Sequence, residues 1–204
     1  MSTFRISKAV LDSLDMGAER FTRNGRLSVT AEEINNHSSL TCFPQPAGEN
    51  HYRLLAYLSH QFNGAQLVDV GTYQGMSALA LASNPANAVI SYDIVDGLTR
   101  DFSDLGNVTF VFGDILKAHP EAVRQTPLIF YDTSPHGGVD ECLFYRHMGA
   151  VDFQGIAIFD DIHFNAGMED FWAKISHPKL DLTPIGHNTG TGAVFFGEDR
   201  IEIC

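Results

Sequence analysis

The chain has 204 residues, enough for one domain with a sizeable core and too few for two ordinary domains. A hydrophobic fraction of 44% is typical of a folded globular protein, and a net charge of −12 argues against a nucleic-acid partner, because phosphate binding needs clustered lysine and arginine. We expect neither a signal peptide nor a membrane span, since no apolar stretch suits either. Cys42, Cys142 and Cys204 are far apart and without a CxxC motif, which favours free thiols in a cytoplasmic protein.

The first 65 residues are predicted to form a helical extension. Residues 7–16 carry apolar side chains at helical spacing, and a capping-box pattern opens a short helix from Thr30 to about Asn36. A linker rich in proline and glycine follows at 41–50. Residues 51–62 then alternate with a period near 3.6 and predict another helix.

From residue 66 onward, short apolar runs alternate with helix-length segments. Five runs are apolar on both faces, as strands of a buried parallel sheet are: 66–70, 88–93, 108–114, 127–132 and 155–161. Helices are predicted at 76–84 and 139–148. This alternation predicts a doubly wound α/β fold. Two last runs, 181–186 and 191–197, lie on either side of a short loop at 187–190 and predict an antiparallel hairpin.

An acidic residue stands at the end of every predicted parallel strand. These residues are Asp69, Asp93, Asp114, Asp132 and the pair Asp160 and Asp161. Ligands of open α/β sheets bind outside the carboxyl ends of the strands, so the acids should meet at the binding edge. Any one of them could cap the following helix, but capping alone does not explain five in register.

The loop after the first strand of this sheet is rich in glycine. Gly71 and Gly75 let the backbone approach a ligand closely at the start of a helix. Tyr73 stands where a dinucleotide cradle requires glycine, and no Walker lysine follows. The loop therefore suits a ligand with an adenosine but no pyrophosphate, and Asp93 is placed to accept hydrogen bonds from a ribose.

The ordered set Asp69, Gly71, Gly75, Asp93 and Asp114, with the final hairpin, resembles the class I S-adenosylmethionine-dependent methyltransferases over residues 66–197. Within that class, the segments LVDVGTYQGMSALALAS and FYDTSPHGG are similar to small bacterial O-methyltransferases. The segment FDDIHFNAGMEDFW resembles a subgroup that is mostly uncharacterised.

The resemblance implies a Rossmann-like sheet of seven strands in residues 66–204, preceded by residues 1–65 as an extension or lid. It implies S-adenosylmethionine as cofactor, with the glycines near its methionine and ribose, Asp93 on the ribose hydroxyls and Asp114 near the adenine. The implied cofactor contacts are Asp69, Gly71, Thr72, Tyr73, Gly75, Ser77, Asp93, Ile94, Gly113, Asp114 and Asp132.

Some members of this class bind a divalent cation through an acid after the fourth strand and an acid pair after the fifth. Asp132, Asp160 and Asp161 match those positions and predict a site for Mg²⁺ or Mn²⁺, which would orient a substrate hydroxyl. The alternative is that the acid pair caps the helix that begins near Ala166 and that Asp132 caps a helix or contacts the cofactor. Against it stands the repulsion among three carboxylates without a counter-charge.

The general base is predicted among a small group of residues at this edge. His136 and His163 are the titrating side chains that could take a proton from a substrate hydroxyl, and Asp132 completes the predicted catalytic set. His163 has an equally good interpretation as a hydrogen-bonded loop residue. The segment TSPHGG replaces the continuation usual in the family, and this leaves both the cation and the base open.

The leading hypothesis for function is a cytoplasmic enzyme that methylates a hydroxyl of a small molecule. One alternative is a metal-binding enzyme on the same scaffold with other chemistry, like the cephalosporin hydroxylases. Another is a non-catalytic protein that binds an adenosine ligand or acts through oligomeric contacts. We expect a small-molecule acceptor and neither a nucleic-acid nor a membrane partner. The N-terminal extension would either cover the cofactor or contact a second subunit in a homo-oligomer.

Overall fold

The computed structural model describes residues 2–16, 42–98, 102 and 105–204. In chain order, the elements are β1 (Thr3–Ile6), α1 (Lys8–Asp12), α2 (Tyr52–Ser59), β2 (Gln66–Val70), α3 (Met76–Leu81), β3 (Ala88–Asp93), β4 (Val108–Phe112), α4 (Ile115–Ala118), α5 (Pro120–Gln125), β5 (Leu128–Tyr131), α6 (Val139–Ala150), β6 (Ile156–Asp160), α7 (Ala166–Lys174), β7 (Lys179–Asp181), β8 (Thr191–Phe195) and β9 (Arg200–Ile203).

Seven of the strands form one sheet in the order β4-β3-β2-β5-β6-β8-β7. Strands β2 to β6 are mutually parallel, and β8 runs antiparallel to both of its neighbours, β6 and β7. The predicted doubly wound, mostly parallel α/β fold with seven strands and an antiparallel C-terminal pair is therefore confirmed.

The central strands are buried on both faces because helices and loops cover the sheet on each side. Ile156 and Ile158 of β6 belong to a core shared with β1, α1, α2 and α3, whereas Ala157 and Phe159 point into a second core with α6 and α7. Alternate side chains of one strand thus serve the two cores. This explains why the strands are continuous apolar runs and do not alternate with polar residues.

The predicted C-terminal hairpin is shifted along the chain. The strand expected at 181–186 lies at Lys179–Asp181, and Asp181 pairs with Gly192 of β8. Residues 182–190 form the connection, in which the N–H groups of Ile185 and Gly186 donate to the carbonyl of Leu182 at 2.9 and 2.8 Å. The prediction placed the strand too late because Leu182 and Ile185 are buried in this turn and look like strand residues in sequence.

The sequence predicted a helical N-terminal region, but this region also contains a strand. β1 pairs in parallel with β9 as a separate two-stranded sheet, and both strands were missed. Each has four residues and its partner lies at the other end of the chain, so neither gives a recognisable local pattern. The helix expected at 7–16 is limited to Lys8–Asp12, and the one expected from Thr30 to Asn36 lies outside the described residues. The division of the chain at residue 65 stays a prediction.

None of the helices in the described ranges combines the length and the apolar character needed to cross a bilayer. Cys42, Cys142 and Cys204 form no disulfide, so the prediction of free thiols is confirmed.

Candidate functional site

A cavity of about 910 Å³ opens at the edge of the sheet where the carboxyl ends of the parallel strands meet. Protein sites for small molecules and cofactors commonly have volumes of about 300 to 1,000 Å³. The cavity is lined by Val70, Gly71, Tyr73, Tyr92, Asp93, Ile94, Val95, Gly97, Gly113, Asp114, Ile115, Leu116, Tyr131, Asp132, Thr133, Ser134, His136, Asp140, Leu143 and Phe144. A concave surface therefore lies at the edge predicted from the strand ends.

The loop after β2 is tied to the end of β3. Gly71 has φ 104° and Gly75 has φ 84°, a left-handed region that favours glycine. The N–H of Gly71 donates to the carbonyl of Tyr92 at 2.8 Å, and the N–H of Tyr73 donates to Oδ2 of Asp93 at 2.9 Å. These bonds fix Gly71, Tyr73 and Asp93 together in the cavity wall.

Residues after β3 and β4 complete this side of the cavity. Ile94, Gly113 and Asp114 all line it, as the cofactor prediction requires. Asp114 also caps α4, because its Oδ1 accepts the N–H of Leu116 at 2.9 Å and its Oδ2 lies 3.0 Å from Nζ of Lys117. Burial acts to raise the pKa of Asp114, but the hydrogen bond from Lys117 and the cap outweigh it and lower the pKa. The carboxylate is therefore held as an anion.

Other predicted cofactor residues do not line the cavity. Asp69, Thr72, Gly75 and Ser77 are all buried. The hydroxyl of Ser91 donates to Oδ2 of Asp69 at 2.5 Å and lies 2.6 Å from Oγ1 of Thr72. These bonds connect Thr72, in the loop, to Ser91 and Asp69 in the strands beneath it.

Burial gives Asp69 an unusual protonation equilibrium. It raises the pKa of Asp69 to about 7, although hydrogen bonds from Ser91 and Ser77 act in the opposite direction. Above that pH the folded protein contains a buried anion, whereas the unfolded chain ionises this group near pH 4. Ionisation of Asp69 therefore opposes folding, and its effect grows as the pH rises from about 4 to about 7.

Asp69→Asn should accordingly become more stable relative to the parent protein as the pH rises. We expect the difference in unfolding free energy between variant and parent to shift in favour of the variant by roughly 2 to 4 kcal/mol between pH 4 and pH 8. Urea unfolding at several pH values measures it. Asp170→Asn is the matched control, because Asp170 is exposed and pairs with Lys174 on the surface. Parallel pH curves for the parent protein and Asp69→Asn would contradict the assignment.

His136 links the acids that follow β5 and β6. Its Nδ1 lies 3.1 Å from Oδ2 of Asp161 and 3.6 Å from Oδ1 of Asp132. His136 and Asp132 line the cavity, so this histidine stands between a carboxylate and the space for a ligand. Ligand atoms of Asp132, His136 and Asp161 lie within 4.8 Å of one another.

A second group of three surrounds Asp160. Nδ1 of His51 lies 3.0 Å from Oδ2 of Asp160, and Nδ1 of His187 lies 2.9 Å from the same oxygen. The three ligand atoms are again within 4.8 Å of one another. The predicted cation ligands Asp132, Asp160 and Asp161 are thus divided between two groups, each of which contains histidine.

The pKa values of Asp132 and Asp160 are shifted in opposite directions. Burial, followed by repulsion from Asp160 and Asp161, raises the pKa of Asp132 well above its usual range. Burial acts in the same direction on Asp160, but attraction to His51 and the hydrogen bond from His187 outweigh it and hold the pKa of Asp160 well below its usual range. Asp160 is the firmly ionised member of the cluster.

His163, the second predicted base, lies elsewhere. Its Nε2 is 2.8 Å from Oδ2 of Asp181 at the end of β7, and it does not line the cavity. This is the arrangement expected of a hydrogen-bonded loop histidine, which was the alternative interpretation of that residue.

Sequence reasoning missed His51 and His187. His187 could have been found from topology, since β8 begins beside the end of β6, where Asp160 pairs with Thr191. The loop before β8 must therefore reach the binding edge. His51 had no local signal, because it precedes α2 in the N-terminal region, and only the packing of α2 against the sheet brings it to Asp160.

Backbone strain is concentrated at this edge. Among the described residues other than glycine, four have positive φ: Tyr73 (43°), His136 (53°), Asp161 (59°) and Asp152 (56°). The first three belong to the cavity wall or to the acid cluster. Such conformations are unfavourable for residues with a side chain and tend to occur at functional sites.

Neither protein-family models nor curated proteins match the sequence. Solved structures do match the fold. The S-adenosylhomocysteine-bound methyltransferase PaMTH1 of Podospora anserina has a TM-score of 0.59 at 14% identity, with 92% of each chain covered. A proposed caffeoyl-CoA O-methyltransferase of Staphylococcus aureus has a TM-score of 0.56 at 15% identity, covering 71% of this chain and 81% of that one.

A third similar structure is the O-methyltransferase TomG of Streptomyces achromogenes, which is involved in tomaymycin synthesis and was solved with S-adenosylmethionine. Its TM-score is 0.51 at 15% identity, covering 72% of this chain and 79% of that one. The resemblance to class I S-adenosylmethionine-dependent methyltransferases predicted from the strand ends is therefore confirmed at the level of the fold.

Proposed function

We propose that the protein is an S-adenosylmethionine-dependent methyltransferase that transfers a methyl group to a hydroxyl of a small molecule. The observation that carries the proposal is the position of Asp93 in the wall of a cavity large enough for the cofactor. Its carboxylate is fixed by the N–H groups of Tyr73 at 2.9 Å and Val95 at 3.0 Å. A carboxylate held in this way can accept hydrogen bonds from the two hydroxyls of a ribose.

The apolar surface of the cavity supports an adenosine ligand. Tyr73, Ile94, Val95 and Leu143 are exposed by 63%, 77%, 63% and 53%, although all four are large and apolar. They line one cavity, and exposed apolar surface gathered in one place marks a binding site more often than a free surface. An adenine ring and the apolar part of an acceptor would cover it.

When bound, the cofactor supplies an electrophilic methyl group on a sulfonium. The acceptor hydroxyl must lose its proton as it takes the methyl group, and His136 is the residue in the cavity wall suited to accept that proton. Asp161, 3.1 Å from Nδ1, would orient the imidazole and stabilise its positive charge after the transfer. The wall around Asp132 would position the acceptor.

Magnesium is not part of this proposal. Mg²⁺ prefers a shell made of oxygen atoms. In the described structure, Asp132, Asp160 and Asp161 each have a histidine nitrogen as neighbour, and their oxygens do not gather into one set of three. The Mg²⁺ site therefore stays a prediction, and the proton transfer to His136 does not need it.

Asp93→Ala tests the cofactor site. It removes the acceptor for the ribose hydroxyls, and we expect affinity for S-adenosylhomocysteine to fall by roughly ten- to a hundred-fold, as for the loss of a charged hydrogen bond. Isothermal titration calorimetry measures the affinity, and circular dichroism confirms that the variant is folded.

Asp96→Ala is the matched control. Asp96 lies three residues further on, accepts the N–H of Leu98 at 3.2 Å, and does not line the cavity. The affinity of the Asp96→Ala variant for S-adenosylhomocysteine should equal that of the parent protein. Equal affinity in folded Asp93→Ala would overturn the cofactor assignment. Methyl transfer itself is tested with labelled S-adenosylmethionine and a panel of catechol, phenol, sugar and amine acceptors, and products methylated at nitrogen or carbon would contradict the choice of a hydroxyl.

A further inference from the structure

We propose that His51, Asp160 and His187 form a binding site for a first-row transition-metal dication such as Zn²⁺. The inference goes beyond the proposed methyl transfer and does not depend on it. Two imidazole nitrogens and one carboxylate oxygen are a donor set that proteins use for Zn²⁺ and Fe²⁺, whereas Mg²⁺ prefers oxygen alone.

The spacing of the ligand atoms fits one shared ion. Nδ1 of His51 and Nδ1 of His187 lie 3.0 and 2.9 Å from Oδ2 of Asp160. Two ligands bound about 2.0 to 2.1 Å from one zinc ion, at angles between roughly 90° and 109°, are about 2.9 to 3.4 Å apart. Both nitrogen–oxygen separations lie in this range, and all three ligand atoms are within 4.8 Å of one another.

His51 provides the independent observation that points to a ligand. Its side chain is only 5% exposed, and Nδ1, although 3.0 Å from Asp160, makes no properly oriented hydrogen bond to any described residue. The ring packs against Tyr52 and Phe130, with centroid distances of 4.5 and 4.7 Å. A buried nitrogen without a hydrogen-bond partner is unfavourable, and a metal bond to its lone pair removes that penalty.

The surroundings of Asp160 support the same conclusion. Oγ1 of Thr191 donates to Oδ1 of Asp160 at 3.0 Å. This bond orients the carboxylate so that Oδ2 faces the two imidazoles. Hydrogen bonds of this kind hold the ligands of metal sites in place. In the part of the chain that the structure describes, the ion-pair partners of Asp132, Asp160 and Asp161 are histidines, and no lysine or arginine neutralises this cluster.

The three ligands come from distant segments of the chain. His51 precedes α2, Asp160 ends β6, and His187 lies in the loop between β7 and β8. A cation bound by all three would connect the N-terminal region to the sheet and to the C-terminal hairpin. Its binding should therefore stabilise the whole fold and not only a local loop.

Titration of the chelator-treated full chain with Zn²⁺ alone tests the proposal. We expect one equivalent to bind and to raise the melting temperature by about 5 °C or more at a hundred-fold excess over the dissociation constant. His187→Ala should weaken Zn²⁺ binding at least about ten-fold, and Asp160→Asn likewise, because loss of a ligand removes a metal bond. His187 is partly exposed, so its variant can be checked for folding without metal.

His163→Ala is the matched control, because His163 also lies against a carboxylate but belongs to neither group of ligands. It should bind Zn²⁺ as the parent does, and a millimolar excess of Mg²⁺ should not compete. Absence of Zn²⁺ binding in the parent, or unchanged binding in folded His187→Ala, would overturn the site. So would loss of binding in His136→Ala but not in His187→Ala, since the ion would then lie in the neighbouring group. Binding of S-adenosylhomocysteine, measured on the same samples, reports separately on the proposed function.

Discussion

Replacing His136 with glutamine should lower kcat for methyl transfer by roughly a hundred- to ten-thousand-fold, the usual contribution of a general base. Affinity for S-adenosylhomocysteine should stay within about three-fold of the parent value. The reason is geometric, because His136 lines the cavity beside Asp132 while the predicted ribose contact, Asp93, lies after a different strand. Loss of kcat without loss of cofactor binding separates a residue that acts on the acceptor from one that holds the cofactor.

The measurement uses the acceptor that turns over best in the panel, with labelled S-adenosylmethionine at saturation. His177→Gln serves as the control, since His177 lies 2.7 Å from the hydroxyl of Tyr145 and does not line the cavity. It should keep the parent kcat. His163→Gln decides between the two predicted bases: a loss of kcat there, with His136→Gln fully active, would transfer the role to His163.

The strand-end rule explains why the binding edge could be predicted from the sequence. Asp69, Asp93, Asp114, Asp132 and Asp160 lie at or near the ends of apolar runs, and parallel strands bring their carboxyl ends to one edge whatever the rest of the chain does. The rule predicts that a residue lies at this edge of the sheet, but not whether its side chain faces the cavity. It could not distinguish Asp93, which lines the cavity, from Asp69, which lies buried beneath the loop.

Local sequence patterns could not identify His51 or His187 as neighbours of Asp160. His51 reaches Asp160 because α2 packs against the sheet. Arg53, two residues later, also joins α2 to the N-terminal segment, since its guanidinium donates to the carbonyls of Leu11 and Leu14 at 3.1 and 2.7 Å. Contacts of this kind depend on tertiary packing between segments distant in sequence. No spacing within a window of ten or twenty residues contains that information.

The glycine motif has two physical causes, of which the sequence suggested one. Gly71 lines the cavity, as close approach to a cofactor requires. It also faces the end of β5: a Cβ built on Gly71 would lie 1.7 Å from the carbonyl oxygen of Asp132. The loop after β2 and the end of β5 therefore approach so closely that glycine is needed for folding, before any ligand binds.

Gly71→Ala should consequently destabilise the protein by more than about 4 kcal/mol, since the added methyl group meets backbone and the residue has positive φ. Gly64→Ala separates the cost of the steric contact from the cost of the positive φ. Gly64 also has positive φ, 71°, but a Cβ there meets nothing within 4 Å, so its variant should lose only the backbone contribution of about 1 to 2 kcal/mol. Urea unfolding of both variants without ligand measures the difference.

If the two variants were equally stable, the close approach of Asp132 would not contribute to the free energy of unfolding, and Gly71 would be required only by the ligand. If Gly71→Ala alone is severely destabilised, a glycine after β2 follows from the fold itself, and Asp93 remains the residue that tests for the cofactor.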